Sequence, residues 1–440
     1  MTRLKGTPSP LFSVLMRFPK LPFLVALAHL TSAVHFEPLS ENPGLVDNGR
    51  FGPTVEVVHL FRLEPPIGIA VSKSGRAFVT FNRGDLVANP ITLGEIVNAS
   101  TEVPFPSAEF NTPPKGLVNT TSGRPLGSGD SNHFINVQAA IVDGKERLWV
   151  LDTGRPVVNG DNLLATPGGP KLLGFDLEGS GARSGQAFKK ITFPETVLPP
   201  SGYLNDIRVD LRPSLTKSGQ GIAYVADSGG FGIIVIDLGT GKSWRHLDRL
   251  RSTSATPRFL PTLFGIPTYL STPNSPAFHY ENAGGGGGTD GFAISADGES
   301  IYFTPLASRD LYRVDAAALR VDPAEDNLAF LHVANSVQYL GEFGGQADGM
   351  ETDSTGKIYL SSPEHNSVNT FNPKTGLVSP FVRSPIIAWP DTLAVADDGF
   401  IYFTVNQLWL SPGFQNGTDK CVPPFALLRA KIDGGRVKLM

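Results

Sequence analysis

The chain has 440 residues and a nearly balanced charge: 37 Lys and Arg stand against 41 Asp and Glu, a formal net charge of −4. No block rich in Lys or Arg occurs, so nucleic acid is excluded as an expected partner. The 48 Gly and 37 Pro make up about a fifth of the chain, which is typical of a fold with many tight turns. The composition therefore favours one repeating domain over two or three ordinary ones.

Residues 1–33 have the order of a secretory signal peptide. Basic residues come first, the apolar run at 21–30 follows, and small residues occupy the expected cleavage site at 31–33. A mitochondrial presequence or an uncleaved anchor is the alternative. No other stretch is long and apolar enough to span a bilayer. We therefore expect a secreted, extracellular protein with no membrane contact after signal cleavage.

Residues 34–53 form a polar lead-in, and residues 54–440 are predicted to be the folded domain. Cys421 is the only cysteine, so no intramolecular disulfide can form. It is predicted to be an inert loop thiol because no His or Asn motif accompanies it. Three sequons in loop-like segments would be glycosylated in the secretory route. They begin at Asn98, Asn119 and Asn416.

A pair of short strands separated by a Gly- or Asp-rich turn recurs six times along the chain. The first strands of these pairs begin at Gly68, Asn136, Asp206, Gly291, Gly349 and Thr392. A single hairpin cannot bury both of its faces, and repetition of small antiparallel sheets around an axis solves this problem. The sequence therefore predicts an all-β fold, a six-bladed β-propeller in which each pair supplies the inner two strands of one blade.

The two ends of the chain are predicted to share the last blade. Its third strand falls at residues 426–432, and the alternating segment at 55–61 is left to supply the fourth strand. Such pairing of N- and C-terminal strands closes the ring and removes an exposed sheet edge. Long insertions at 98–134, 154–170 and 249–289 interrupt the earlier blades, and specificity or partner contacts are expected there.

Four aspartates at the entrances of inner strands are predicted to converge on one opening of the central channel. They are Asp206, Asp290, Asp348 and Asp391. Folding about the last hairpin turn also brings Thr392 close to Asn406. Carboxylates this close repel each other, so the group favours an amine ligand, a divalent metal, backbone donors or a raised pKa. The alternative is that each Asp accepts backbone N–H bonds at its own strand entry.

Common catalytic templates are missing from the sequence. It contains no HExxH motif, no CxxC pair and no GxSxG elbow. These absences argue against common zinc proteases and α/β-hydrolases. No covalent nucleophile is therefore expected.

Several short strings occur in an order and combination that is specific to a known family. They are LWVLDTG at 148–154, YFTPLAS at 302–308, DGM at 348–350, WPDTL at 389–393 and NQLW at 406–409. Together they resemble the major royal jelly protein/yellow family over roughly residues 55–432. The resemblance implies a secreted six-bladed propeller with a ligand in its central channel. Known members include pigmentation proteins linked to dopachrome conversion, nutritive proteins and salivary binders of biogenic amines.

The family's channel motif maps onto Thr392, Asn406 and Leu408. The chain departs from the family in two respects: a single cysteine cannot form the usual disulfides of animal members, and Leu408 lacks the aromatic ring suited to stacking an amine. A more distant similarity to gluconolactonase/regucalcin propellers implies a metal site. Two of its ligand positions correspond to Asn205-Asp206 and to Asp391, whereas the third, a glutamate near the start of the first blade, has no clear counterpart, although Glu64 is close. No cofactor is required by the sequence, but that similarity would allow a divalent cation such as Ca²⁺.

We therefore expect a secreted propeller that binds a small polar or cationic molecule at the channel mouth. Two enzymatic alternatives remain: a metal-dependent lactonase in which a cation activates water, and a dopachrome-type isomerase with a carboxylate general base. A structural or nutritive protein with an empty channel is a third alternative. The predicted ligand contacts are Asp206, Asp290, Asp348, Asp391, Thr392, Asn406 and Leu408.

Overall fold

The protein is a closed ring of six four-stranded antiparallel sheets, so the predicted six-bladed β-propeller is confirmed. Inner strands of consecutive blades contact each other, and the sixth contacts the first. The predicted signal peptide, most of the lead-in and Asn416 lie outside the described residues. The computed structural model describes residues 49–82, 90–114, 118–119, 124–125, 132–158, 161–165, 168–178, 185–268, 287–415 and 417–440.

Each of the first three blades is a single stretch of chain that runs from the channel outwards. Blade 1 consists of Pro66–Val71, Ala77–Phe81, Leu93–Asn98 and Thr101–Pro104. Blade 2 consists of Val137–Val142, Arg147–Asp152, Lys171–Asp176 and Lys189–Thr192. Blade 3 consists of Leu204–Asp210, Ile222–Asp227, Gly232–Asp237 and Ser243–His246.

Blades 4 and 5 repeat this order, and blade 6 closes the ring. Blade 4 consists of Thr289–Ile294, Ser300–Pro305, Asp310–Asp315 and Gln338–Glu342. Blade 5 consists of Met350–Thr352, Ile358–Ser362, Ser367–Asn372 and Leu377–Arg383. Blade 6 consists of Pro390–Val395, Phe400–Val405, Phe425–Lys431 and Val55–Phe61. The last two strands pair antiparallel, which confirms closure by the chain ends.

Short elements decorate the connections between blade strands. The α-helices are Ala108–Asn111, Ala316–Leu319 and Ala329–Ser336. Turns of 3₁₀ helix occur at Pro213–Leu215, Arg251–Thr253, Pro363–His365 and Leu408–Leu410. Two-stranded ribbons pair Val118–Asn119 with Arg124–Pro125, Val157–Val158 with Asp161–Asn162, and Thr262–Leu263 with Ile266–Pro267. None of the helices in the described ranges is long and apolar enough to cross a membrane.

An apolar cluster fills the space between each pair of neighbouring blades. Between blades 3 and 4, for example, Tyr224 and Val235 pack with Phe292 and Phe303, and all four are fully buried. Burial of each such side chain contributes about 2 kcal/mol. Because both faces of the central strands are covered, these strands are mostly apolar, and most polar side chains lie near the strand ends. Arg208 in blade 3 and Glu351 in blade 5 are exceptions.

Candidate ligand site at the channel mouth

The strand register defines one equivalent position at the start of every inner strand. In blade 4, the second strand ends at Pro305, and Phe303, two residues earlier, pairs with Phe292 of the inner strand. Two residues before Phe292 is Asp290, and the same rule gives one residue in every blade. The residues at this position in blades 1 to 6, called the mouth ring below, are Ile67, Gln138, Asn205, Asp290, Asp348 and Asp391.

The register corrects the predicted equivalence of the four aspartates. Asn205, rather than Asp206, represents blade 3 in the mouth ring, because Ile207 is the residue that pairs with Val225. Asp206 occupies the next position, which Gly291 holds in blade 4. Its Oδ1 accepts hydrogen bonds from Arg208 Nη1 at 2.6 Å and from the Ile207 N–H at 2.7 Å. Three carboxylates therefore share the ring, and the fourth belongs to an ion pair below it.

Side chains of the mouth ring contact each other around the axis. Asn205 Nδ2 donates to Asp290 Oδ2 at 2.7 Å, and Gln138 Nε2 lies 3.5 Å from Asn205 Oδ1. The carboxyl groups of Asp290 and Asp348 are near enough for the pKa of each to depend on the other. Two carboxyl groups can share a hydrogen bond only when one of them carries a proton. The ring is thus continuous and polar from blade 2 to blade 5.

Asp391 completes the carboxylate group and gathers the residues of the predicted channel motif. Asn406 Nδ2 donates to Asp391 Oδ2 at 2.6 Å, and Thr392 Oγ1 lies 3.4 Å from Asp391 Oδ1. The Leu408 N–H donates to Asn406 Oδ1 at 3.0 Å. The structure therefore brings all three motif residues to the mouth. The Leu408 side chain packs at the edge of an apolar cluster with Leu263, Leu306 and Trp389.

The three mouth carboxylates are buried, and no cation in the described part of the chain compensates their charge. Asp290, Asp348 and Asp391 are 5%, 5% and 7% exposed, and none of them forms an ion pair with a described residue. Burial, followed by the charge of Asp348, raises the pKa values of Asp290 and Asp391 well above normal. Burial also raises the pKa of Asp348 to about 6, although hydrogen bonds from Trp389 and Asp290 oppose the shift. The group therefore retains protons that isolated aspartates would lose.

Below the mouth ring, Arg208 crosses the channel from blade 3 to blade 5. Its Nη2 donates to the Met350 carbonyl and lies 3.5 Å from Glu351 Oε2. On the far side is a partly open cavity of about 70 Å³, which Asp206, Arg208 and Glu351 line together with apolar residues of the inner strands. This volume accommodates a few water molecules. A larger ligand of the ring must therefore remain on the mouth side of Arg208.

Sequence reasoning did not assign roles to Gln138, Tyr203, Arg208 and Trp389. The Tyr203 hydroxyl donates to Gln138 Oε1 at 2.8 Å. Trp389 Nε1 donates to Asp348 Oδ2 at 2.6 Å, and the Trp389 backbone has a positive φ of 64°. The Trp-Pro-Asp string was a usable signal for Trp389, since it immediately precedes Asp391. For Gln138, only the pairing of Ala140 with Val150 reveals the equivalence to the aspartates.

The predicted metal ligands contact different partners. Asn205 donates to Asp290, Asp206 is paired with Arg208, and Asp391 accepts from Asn406. Among the residues that the structure describes, no group of three or more His, Cys, Asp or Glu side chains is arranged to hold a metal ion. The Ca²⁺ hypothesis remains a prediction.

The predicted modification sites lie away from the mouth ring or outside the description. Asn98 is exposed at the end of a blade 1 strand, and its Oδ1 accepts from the Ser100 N–H at 3.0 Å. The Asn119 side chain is outside the described part of the chain. Burial and the neighbouring Asp419 raise the pKa of the Cys421 thiol to about 12. At neutral pH this cysteine is a thiol and a poor nucleophile.

Comparison with known proteins identifies relatives of this chain. The family described as "Major royal jelly protein" matches residues 135–410. Major royal jelly protein 7 of Apis mellifera is 26% identical over 250 residues, which cover 55% of this chain and 48% of that protein. Protein yellow of Drosophila guanche is 27% identical over 239 residues, which cover 52% of this chain and 35% of that protein. The matches thus span half or less of the length of these relatives.

Solved structures with the same type of fold are more distant in sequence. Regucalcin from Agrobacterium tumefaciens, a calcium-binding protein, is 12% identical with a TM-score of 0.48, covering 88% of this chain and 98% of that one. A luciferin-regenerating enzyme is 13% identical with a TM-score of 0.47, and the match covers 88% of this chain and 100% of that one.

Proposed function

The chain belongs to the major royal jelly protein family, and from this premise we propose that it binds a small organic cation at the mouth ring. The expected ligand carries a primary ammonium group that lies against Asp290, Asp348 and Asp391. The proposal includes secretion, since the start of the chain reads as a signal peptide. The observation that carries it is the buried group of three carboxylates, which have no cationic partner among the residues that the structure describes.

The electrostatics of the ring support a cationic ligand. Two unit charges 4 Å apart repel by about 1 kcal/mol in water and by about 4 kcal/mol at an effective dielectric constant of 20. Partial protonation relieves this repulsion in the free protein. An ammonium group would relieve it by direct ion pairing, and the ring would then release its retained protons.

The number and arrangement of oxygen atoms in the ring favour an ammonium group over a metal ion. An ammonium has three N–H donors and needs three acceptors. The carboxylate oxygens of Asp290, Asp348 and Asp391 supply acceptors from three consecutive blades. Divalent calcium needs six to eight oxygen ligands, whereas the amide nitrogens of Asn205 and Asn406 already donate to two of these carboxylates.

Calorimetry and thermal shift with a matched pair of variants test this function. The ligands are methylammonium, phenethylamine and CaCl₂, and the protein is the secreted full chain. We expect an amine to bind and Asp391→Asn to weaken its binding at least tenfold, which corresponds to about 1.4 kcal/mol. Asp297→Asn serves as the control because Asp297 is exposed in a hairpin turn of blade 4. It should leave the dissociation constant unchanged.

The outcomes separate the candidate functions. Failure of every amine to alter the melting temperature, or equal binding by wild type and Asp391→Asn, would refute the proposal. Tight binding of CaCl₂ that competes with the amine would instead favour the metal-dependent alternative. Proton release on amine binding, measured in two buffers of different ionisation enthalpy, would support displacement of the shared protons.

A further inference from the structure

The C-terminal segment, residues 433–440, lies across the end of the channel opposite the mouth ring. We propose that this end is a binding surface for a short basic peptide, and that the chain's own C-terminal segment occupies it as a reversible strap. The strap makes the channel a pocket with a single opening. The inference depends on the strap contacts alone and is independent of what the mouth ring binds.

The strap contacts the turn ends of several blades. Asp353 of blade 5 bridges to Arg436, and the Ser354 N–H donates to the Gly435 carbonyl at 2.8 Å. At blade 3, the Leu211 N–H donates to the Leu439 carbonyl at 2.9 Å. A segment that bonds to blades 3 and 5 and also reaches blades 2 and 6 must cross the axis. Arg436, Val437 and Leu439 accordingly line the partly open cavity together with inner-strand residues.

Charge complementarity indicates the chemistry of the peptide. Arg436 Nη2 is paired with Glu146 of blade 2 and lies 2.9 Å from Asp397 Oδ2 of blade 6. Lys438 Nζ lies 2.8 Å from Asp397 Oδ1. Two carboxylates of the turns between inner strands, Glu146 and Asp397, therefore face the cations of the strap. A peptide with two cations separated by one residue matches them.

The shape of the surface also selects this segment. A Cβ on Gly434 would lie 2.5 Å from the Asp353 side chain, and a Cβ on Gly144 would lie 2.8 Å from the Met440 side chain. A side chain at position 434 would therefore have to displace the Asp353 side chain, and one at position 144 would have to displace Met440. The surface therefore accepts a Gly-Gly-Arg-Val-Lys sequence followed by apolar residues.

The strap is a surface element rather than part of the core. Apart from Gly434, its residues are exposed or partly buried, although the Arg436 side chain is only 9% exposed where it pairs with Glu146. The preceding strand Phe425–Lys431 has a buried face. Displacement of the strap would expose few apolar side chains, since Leu439 is only packed against the edge of a cluster. The propeller can therefore stay folded while the strap opens, which is what reversibility requires.

An engineered thiol inside the cavity tests whether the strap seals the channel. Val395 lines the cavity and is 4% exposed, so Val395→Cys in a Cys421→Ser background provides the reporter. A small cationic methanethiosulfonate reagent should modify this thiol slowly. When Arg436→Gln and Lys438→Gln are added, the rate should rise at least tenfold. A thiol at the mouth, Leu408→Cys, should be modified at the same rate whether the strap is wild-type or weakened. Arg429 is an ion-paired arginine outside the strap, and Arg429→Gln should leave the modification rate of the cavity thiol unchanged.

Addition of the synthetic octapeptide of residues 433–440 tests the binding surface itself. In the variant with the weakened strap, this peptide should slow modification of the cavity thiol at least fivefold. The same peptide with Gln in place of Arg and Lys should have no effect. Equal rates with the intact and the weakened strap, or no protection by the wild-type peptide, would overturn the proposal.

Hydrogen exchange of the unmodified full chain gives a test that needs no variant. The amides of Leu211 and Ser354, which bond to the strap, should exchange together and at least tenfold faster than the amides of Ile358–Ser362. Exchange of all these amides at one common rate would show that the strap opens only with global unfolding, and the strap would then not be reversible.

Discussion

The two ends of the channel use the same residue type in opposite ways. At the turn end, carboxylates are matched by cations: Glu146 and Asp397 by Arg436, Asp210 by Arg212, and Asp143 by Arg147. At the mouth, Asp290, Asp348 and Asp391 have no described cationic partner. Carboxylates at the turn end therefore stabilise the fold, whereas those at the mouth are retained at a cost. Costly buried charge is typical of functional sites.

The largest expected effect is the pH dependence of the protein's stability that the mouth carboxylates cause. Burial raises the pKa of Asp348 from 3.8 to about 6. Between these values the folded state holds a proton that the unfolded state has lost, so the free energy of unfolding falls as pH rises from about 4 to 6. One such carboxyl group contributes roughly 2 to 3 kcal/mol below pH 4, and this contribution is lost above pH 6.

Urea denaturation of wild type and Asp348→Asn at pH 4, 5, 6 and 7 measures the effect. The difference in free energy of unfolding between the two proteins should change by about 2 kcal/mol over this range. The variant should become more stable relative to wild type as pH rises. Asp397→Asn at the turn end should not show this gain. A constant difference between wild type and Asp348→Asn would mean that the mouth carboxylates titrate normally.

Neutralising one carboxylate at each end should shift stability in opposite directions. Asp290→Asn at pH 7 should raise the free energy of unfolding by about 1 to 2 kcal/mol, because the amide removes one buried negative charge and can donate an N–H to a neighbouring carboxylate. Glu146→Gln should lower it by about 1 kcal/mol, because Arg436 loses a charged partner. Chemical denaturation at one pH suffices for the measurement. If both changes destabilise, the mouth carboxylates are structural and the contrast between the two ends is wrong.

The fold was predictable because its signal is local and repeated. Each inner hairpin places apolar residues on both sides of a Gly or Asp turn, and all six predicted hairpins appear as the inner two strands of one blade. Closure by Val55–Phe61 followed from the missing fourth strand of blade 6. These conclusions needed only pairing rules and no knowledge of side-chain position.

The site was only partly predictable because it depends on register. Asp206 was assigned to the ring and Gln138 was overlooked, because the inner strands of blades 1, 2, 3, 4 and 6 have an irregular pairing near their start. The sequence does not reveal how many residues such an irregularity spans. A shift of one residue moves a carboxylate from the ring to the Arg208 ion pair. Residues 433–440 gave no signal at all, because a strap follows the surface to which it binds and has no periodicity of its own.

The smallest expected effect concerns Trp389, which is fully buried and whose indole N–H donates to Asp348. This hydrogen bond favours the ionised form and lowers the pKa of Asp348 relative to what burial alone would impose. Trp389→Phe keeps an aromatic ring but removes the donor. It should destabilise the protein at pH 7 by about 1 kcal/mol, and it should raise the pKa of Asp348 further.

Infrared titration of the protonated carboxyl stretch, compared with the same titration of Asp348→Asn, would follow this pKa directly. Tyr359→Phe is the matched control, since Tyr359 is a buried aromatic residue that donates to Asp353 at 3.0 Å near the turn end. Tyr359→Phe should lower the free energy of unfolding by a similar amount without changing the pKa of Asp348. An unchanged titration in Trp389→Phe would show that Asp348 does not depend on the indole. The mouth carboxylates would then be set by burial and by each other, and a cationic ligand would meet a more strongly protonated ring than the structure indicates.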